Sequence, residues 1–225
     1  MMRAQRRILL FSMAFLLVWN APVALRADGT STHEYQLKAA FLYNFIMFVD
    51  SERFHELDES RAQDGADPND PILIGILGKD PFADAFDPLK DEDVRDRRVA
   101  IQRFKGFEQL ADAEGWVPNE YPQLDRLKRC HVLFISSSEK RYMARILKPI
   151  SKQSILTVAD TPGFLEAGGI INFVIEDKKV HFEINTAAAR RARLQLRSKL
   201  LRLAKRLVKT DALEGQNDEE DETDN

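Results

Sequence analysis

Short apolar runs alternate with stretches of helical pattern along the middle of the chain, and this alternation constrains the fold more than any other feature. Runs that are nearly free of polar side chains are typical of strands buried on both faces of a parallel sheet. They occur at Ile72 to Leu77, His131 to Ser136 and Ile155 to Val158, and Val99 to Phe104 is predicted as a further strand. Because parallel strands need crossover connections, we predict a three-layer α/β domain with a mostly parallel sheet.

The predicted helices open at polar caps or at prolines. One helix starts at Pro81 after Asp80, and a second covers Tyr121 to Arg129. A third runs through Leu147 and begins with a capping box formed by Ser136 and Glu139. A fourth, short helix begins at Thr161-Pro162-Gly163 and ends at Gly168-Gly169.

The end of the domain predicts an antiparallel hairpin followed by a long helix. The strands Ile170 to Ile175 and Val180 to Ile184 are separated by a hairpin-length connection. Apolar and titratable residues alternate in the second strand, which places the apolar ones on the core. From Thr186 to Val208, leucines repeat at helical spacing, and nine basic residues occur between Arg190 and Lys209 without an acid. Such a basic face is solvated, contacts anionic headgroups, or docks against an acidic partner or the chain's own acidic tail.

A helix is also predicted from Glu34 to Val49, with an apolar stripe of Leu37, Phe41, Phe45 and Phe48. Its other faces are largely apolar too, so most sides of this helix must be covered. Two interpretations stay open: a central core helix, or a partner-binding surface. For the second, the candidate contacts are Phe41, Tyr43, Phe45 and Phe48.

The two ends of the chain differ from the domain between them. Met1 to Ala27 has the arginines and the apolar run, Ile8 to Trp19, of a cleavable export signal, with an uncleaved anchor as the alternative. The sequence therefore predicts a periplasmic protein with a signal peptide at 1–27, an α/β domain at 28–210 and a disordered acidic tail at 211–225. Ser51 to Asp70 is an acidic, turn-rich stretch that predicts a solvated loop.

Location and composition exclude several classes of function. Nucleotide triphosphates and nicotinamide cofactors are held inside the cell, and the 28–225 segment carries 36 acidic residues against 29 basic ones, which argues against nucleic-acid binding. The histidines His33, His55, His131 and His181 show no metal-ligand spacing, and no phosphate loop or nucleophile elbow is present. We expect no metal, no cofactor and no catalysis. Cys130, the single cysteine, cannot form an intramolecular disulfide, and its apolar neighbours predict a buried thiol.

A small-ligand site is the alternative function, and its candidate residues are Gly78, Lys79, Asp80 and His181. The loop Gly78 to Phe82 follows the first predicted strand, and open α/β sheets bind ligands at the carboxyl ends of their strands. Lys79 could attract an anion such as a nucleotide there, and His181 beside Lys179 could bind an anion or respond to pH. A tight connection with a solvated lysine, and a partly exposed sheet histidine, explain the same residues.

Several segments resemble the YfiR-like family of periplasmic regulatory proteins. They are Leu37 to Phe45 with Phe48-Val49, Cys130 to Ser136, Leu156 to Phe164, Gly168 to Phe173, Phe182 to Asn185, Ala187 to Ala192 and Ser198 to Leu201. The resemblance implies a compact Rossmann-like fold and a non-enzymatic repressor that binds the sensory region of an inner-membrane diguanylate cyclase such as YfiN, or of a sensor kinase. A homodimer is a further possibility.

Two departures from the family pattern stand out. Family members commonly follow the first helix with Trp-Pro, whereas Ser51-Glu52 stand at that place here. Some members contain disulfides, which Cys130 alone cannot reproduce. Redox control through intramolecular bridges is therefore not expected in this chain.

Overall fold

The structure is a computed structural model, and it describes residues 28–54 and 70–209. The helices are α1 (Asp28–Met47), α2 (Leu124–Leu127), α3 (Met143–Leu147), α4 (Thr186–Arg191) and α5 (Ser198–Leu203). The strands are β1 (Val49–Asp50), β2 (Ile72–Leu77), β3 (Val99–Phe104), β4 (Val132–Ile135), β5 (Leu156–Ala159), β6 (Ile171–Glu176), β7 (Lys179–Asn185), β8 (Gln195–Leu196) and β9 (Arg206–Val208). The signal peptide and the acidic tail predicted from the sequence lie outside the described residues.

A seven-stranded sheet in the order β3-β2-β4-β5-β6-β7-β9 forms the middle layer. The strands from β3 to β6 pair in parallel, β6 and β7 pair antiparallel, and β9 is parallel to β7. This arrangement confirms the predicted α/β fold with its mostly parallel sheet and antiparallel hairpin. The predicted strands are correct to within one residue at each end.

Two apolar cores lie on the two faces of the sheet and make the fold three-layered. The larger core joins α1 to alternate residues of the strands, including Ile74, Phe134 and Phe173. The other core joins Leu133 and Ile135 to the short helices α2 and α3. Because successive strand residues point to opposite faces, strands covered on both sides must be apolar throughout, as the sequence pattern indicated.

The prediction of one long helix from Thr186 to Val208 is wrong. The chain leaves α4 at Arg193, whose φ of 56° is left-handed, and Leu194 turns back into the core with its N–H donating to the Ala189 carbonyl. β8 then pairs with β1, α5 follows, and β9 joins the sheet edge beside β7. Strand pairing with distant segments overrides the helical leucine spacing, and Leu203 and Leu207 are exposed. The nine basic residues therefore do not share one helical face.

Several other predicted helices are shorter than expected or absent. The helix over Tyr121 to Arg129 is reduced to the single turn of α2. The segment after Asp80 forms turns and a short 3-10 helix, and the segment after Thr161 forms turns alone. Ser136 does cap the following segment, a 3-10 helix over Ser137–Tyr142 that leads into α3, by accepting from the Ser138 N–H. Glu139 makes no capping box, because its carboxylate bonds elsewhere.

α1 begins earlier than predicted, at Asp28, and ends at Met47 before β1. The stretch predicted as a solvated loop starts with two buried side chains, Ser51 and Phe54. Residues 55–69, which make up most of that stretch, lie outside the described part of the chain. Among the described residues, no helix is long and apolar enough to cross a membrane.

Candidate functional site

The strand order reverses direction between β2 and β4, and this point in the sheet is where open α/β folds bind ligands. β3 lies on one side of β2, whereas β4, β5 and β6 extend on the other. The loops after β2 and β4 border a cavity of about 560 Å³ there, lined by Lys79, Asp80, Glu108, Ser138, Lys140 and Arg141 among others. Of the residues predicted from the sequence, Lys79 and Asp80 therefore line one crevice, and Gly78 directly precedes them.

Gly78 and Lys79 are tied to the opposite loop by backbone geometry. Gly78 has a left-handed φ of 98°, and a Cβ placed on it would lie 2.5 Å from the Ser138 hydroxyl oxygen. The Lys79 N–H donates to that same oxygen at 3.0 Å. A side chain at Gly78 would force the two loops apart, so the close approach of the loops depends on glycine.

The charged groups of the crevice are only partly compensated. Asp80 accepts from the Phe82 N–H at 2.8 Å and pairs with Arg103 at 2.5 Å, so its carboxylate is already engaged. Arg141 pairs with Glu108 at 2.9 Å. The remaining cations, Lys79 and Lys140, have no ion pair within the described residues. The crevice consequently favours an anion.

Beneath this crevice lies a buried carboxylate that the sequence did not single out as a site residue. Glu139 is fully buried, and its two oxygens accept from the Phe107 N–H at 2.8 Å and the Ser138 hydroxyl at 3.0 Å. Gly106 packs so closely on Glu139 that an added Cβ would collide with the carboxylate. Glu139 thus holds together the loops that form the crevice.

A second cavity, of about 610 Å³, opens beside the first and shares Ser137 with it. A buried lysine of α1, Lys38, lies in its wall and pairs with Asp160 at 2.7 Å and with Glu34 at 2.5 Å. Tyr35 donates its hydroxyl to the same Asp160 oxygen at 2.9 Å, and its ring lies 4.3 Å from the Lys38 Nζ. Asp160 follows β5, so this cluster joins α1 to the carboxyl edge of the sheet.

Burial, followed by the nearby Asp160 carboxylate, raises the pKa of the Tyr35 hydroxyl. Tyr35 therefore stays a neutral donor to Asp160 at any physiological pH. Across the cavity, Arg206 of β9 binds Glu183 of β7 through two hydrogen bonds of 2.6 and 2.9 Å. Hydrogen bonding to Glu183 raises the pKa of Arg206 despite some desolvation. Both cations of this cavity are thus satisfied by protein carboxylates.

The structure does not bring His181 to the other predicted ligand residues. His181 lies in β7 opposite Val174, and β4, β5 and β6 separate β7 from β2 in the sheet. The candidate set of Gly78, Lys79, Asp80 and His181 therefore divides between two places: Lys79 and Asp80 line the crevice with Gly78 next to them, and His181 lies elsewhere. A role of these four residues in ligand binding stays a prediction.

The four aromatic residues proposed as partner contacts occupy different environments. Tyr43 and Phe45 are buried in the larger core, whereas Phe41 and Phe48 are half-buried against it. Phe45 stacks on Phe173 with ring centroids 5.7 Å apart. Packing accounts for these positions, and a role in partner binding stays a prediction.

Cys130 and His131 both lie in the interior of the domain. Cys130 is buried, as expected, and burial raises the pKa of its thiol to about 11, which leaves it unreactive. His131 is buried as well, and its Nδ1 accepts from the Leu73 N–H at 3.0 Å. Burial, assisted by Arg53 and Arg97, lowers the pKa of His131 to about 3. Within residues 28–54 and 70–209, no cluster of histidine, cysteine and acidic side chains could hold a metal ion.

A model of proteins described as YfiR/HmsC-like matches residues 35–205. The chain belongs to the YfiR/HmsC-like family. The matched region begins in α1 and ends between α5 and β9, so it includes nearly the whole described domain. All residues that line the first cavity lie within it, whereas Glu34 and Arg206 of the second cavity lie just outside. The family assignment made from the sequence is thereby confirmed. No curated protein matches the chain.

Membership of the YfiR/HmsC-like family supplies the general function. It is a regulatory, non-catalytic family of periplasmic proteins that act in cyclic di-GMP signalling through a periplasmic signalling partner. In the second cavity, the charged groups Lys38 and Arg206 are paired with the carboxylates of Asp160 and Glu183.

Proposed function

We propose that this protein is a periplasmic, non-enzymatic repressor that binds the external sensory domain of an inner-membrane signalling protein and holds a diguanylate cyclase inactive. The family match over residues 35–205 is the observation that carries the proposal. A sensor kinase is the other membrane partner that fits the same scheme. Export through a signal peptide at residues 1–27 and self-association into a homodimer belong to this proposal.

A repressor of this kind needs no chemistry of its own. It must bind the inactive conformation of the sensor more tightly than the active one, and the difference in affinity sets the degree of repression. An exported domain with a rigid core and accessible loops is sufficient. The half-buried Phe41 and Phe48, together with Tyr43 and Phe45, remain our proposed partner contacts.

The test of this function is a crosslinking pull-down from intact envelopes with the tagged full chain, combined with measurement of cyclic di-GMP in a deletion strain. We expect capture of a membrane protein with a periplasmic sensor and a cytoplasmic cyclase or kinase module. Cyclic di-GMP should rise on deletion and return when the gene is restored. Recovery of the protein alone, with unchanged cyclic di-GMP under several growth conditions, would contradict the proposal.

The second candidate function is the binding of a small anion or nucleotide at the crevice between β2 and β4. The observation that favours it is the presence of Lys79 and Lys140, two lysines that pair with no acid among the described residues, at the point where the strand order reverses. A ligand that binds only the native state raises the unfolding temperature. We expect inorganic phosphate or a nucleoside monophosphate to raise it for the wild type and for Lys90→Ala, but not for Lys79→Ala. Absence of any rise would remove this candidate.

A further inference from the structure

An apolar groove of about 790 Å³ opens between the amino-terminal half of α1 and the β6–β7 hairpin. Leu37 of α1 and the hairpin residues Ile175 and Val180 supply its apolar surface, and the rim includes Lys178 and Lys179. Leu37 is 40% exposed and Ile175 is 50% exposed. Large apolar side chains that converge on one open groove are characteristic of a binding surface.

The groove continues the packing that buries the middle of α1. One turn further along the helix, Phe41 packs against Phe173 and Phe182 with ring centroids 5.9 and 5.7 Å apart. Ile175 and Val180 are paired across the hairpin, and each lies two residues from one of those phenylalanines and so on the same face. The apolar stripe of α1 therefore extends from the core into an uncovered surface at Leu37.

The uncompensated charge at the rim is positive. Lys178 and Lys179 have no ion pair within the described part of the chain, whereas Glu34 pairs with Lys38 and Glu176 pairs with Lys205. An apolar centre with a charged rim is the common anatomy of a protein interface, in which one or a few buried side chains dominate the affinity. Complementary charge on the partner must be acidic.

We propose that this groove is the docking site of the signalling partner and receives an apolar side chain flanked by acidic residues from the partner's sensory domain. The inference rests on the proposed function and adds the place and the chemistry of the contact. Leu37, Ile175 and Val180 enclose the apolar anchor, and Lys178 and Lys179 bind the acidic flank.

The test places a photoreactive amino acid at position 175 of the full chain in intact envelopes, with position 116 as the control. Trp116 is 60% exposed and lies in the segment between β3 and α2, and β3 is at the other edge of the sheet from β7 and β9. We expect position 175 to crosslink to a membrane signalling protein through a peptide that contains Asp or Glu. The double variant Lys178→Glu/Lys179→Glu should reduce that crosslink about tenfold. The matched pair Lys148→Glu/Lys152→Glu, at exposed positions elsewhere, should retain it.

Each other outcome overturns the groove assignment. A crosslink to a second copy makes the groove a homodimer surface, a crosslink to lipid makes it a membrane contact, and an equal crosslink at position 116 makes it unspecific. If the wild type represses cyclic di-GMP and captures its partner but the Lys178→Glu/Lys179→Glu variant does so equally, the groove fails while the proposed function stands. If the wild type neither represses nor captures a membrane protein, the proposed function itself fails.

Discussion

Gly106 and Glu139 illustrate how strongly single residues determine the loops at the carboxyl edge of the sheet. A buried carboxylate is costly unless its oxygens are hydrogen-bonded, and Glu139 meets this requirement through the Phe107 N–H and the Ser138 hydroxyl. The space for this arrangement exists because residue 106 has no Cβ. The glycine and the acid therefore act as one structural unit.

Gly106→Ala is expected to lower the free energy of unfolding by about 2 to 3 kcal/mol, because the new methyl group displaces a buried carboxylate from its donors. Urea unfolding measures this change. The matched control is Gly115→Ala, where a Cβ meets no atom within 4 Å but φ is 83°, so only a backbone cost of about 1 kcal/mol applies. Equal losses in the two variants would contradict the proposed role of Gly106.

At the scale of elements, the pairing of the short strands β1 and β8 is supported by Asp50 of β1, which binds Arg197 directly after β8. Its carboxylate accepts from Arg197 at 2.8 and 3.2 Å and from Arg95 at 2.7 Å. The hydrogen bond from Arg197 lowers the pKa of Asp50 most, and the hydrogen bond and positive charge of Arg95 lower it further, to about 2. Partial burial of the carboxylate acts in the opposite direction but does not outweigh them. Two strands of two residues each thus gain an ionic link across 147 positions of sequence.

Asp50→Asn is expected to lower the free energy of unfolding by about 1 kcal/mol at pH 7, the discounted value for a partly exposed ionic cluster. Because the folded pKa is depressed, the wild-type contribution is present above the unfolded value of 3.8 and is lost as the pH falls towards 2. Urea unfolding at pH 7 and at pH 3 measures both effects. A difference between wild type and variant that is larger at pH 3 than at pH 7 would show that the carboxylate charge is not responsible.

The elements that were predicted well from the sequence are those whose pattern of apolar residues can be recognised within the element itself. β2 matches the predicted bounds because a strand covered on both faces is apolar without interruption. The bounds of β3, a partly exposed edge strand with Gln102 and Arg103 near its end, were also predicted correctly. The prediction of one helix over Thr186 to Val208 is wrong because the same leucine spacing is compatible with a turn, a shorter helix and an edge strand. Pairing of β8 with β1 and of β9 with β7 selects that arrangement. The Lys38–Asp160 pair joins residues 122 positions apart, so no local pattern indicated it. The loop that contains Gly78 and Lys79 could be predicted as a candidate ligand site because it directly follows a predicted strand, and loops in that position bind ligands in open α/β sheets.

At the scale of the whole molecule, the buried His131 makes stability depend on pH. Its folded pKa of about 3 lies below the unfolded value of 6.5, so the unfolded chain binds the extra proton between those values. We expect the free energy of unfolding to be highest above pH 6.5 and to fall below it by about 1.4 kcal/mol per pH unit. Urea unfolding between pH 7 and pH 5 measures the slope.

The control is His131→Asn, whose side-chain oxygen can accept the Leu73 N–H in place of Nδ1 but does not titrate. This variant should lose most of the slope between pH 7 and pH 5. An unchanged slope would show that groups other than His131 cause the pH dependence. Acids with an ordinary pKa would not be those groups, because they titrate only weakly in that interval.

The path of the chain has a consequence for how it is made. α1 and β1 come first in the described chain, yet β1 finds its strand partner in β8, and the last strand of the sheet, β9, ends at Val208. Contacts between such distant segments form late, because the intervening chain must first be ordered. The amino-terminal part therefore cannot close its core until nearly all of the domain is available. For a member of a periplasmic family this delay is useful, since a chain that stays open until its end emerges can be threaded across a membrane and fold only on the far side.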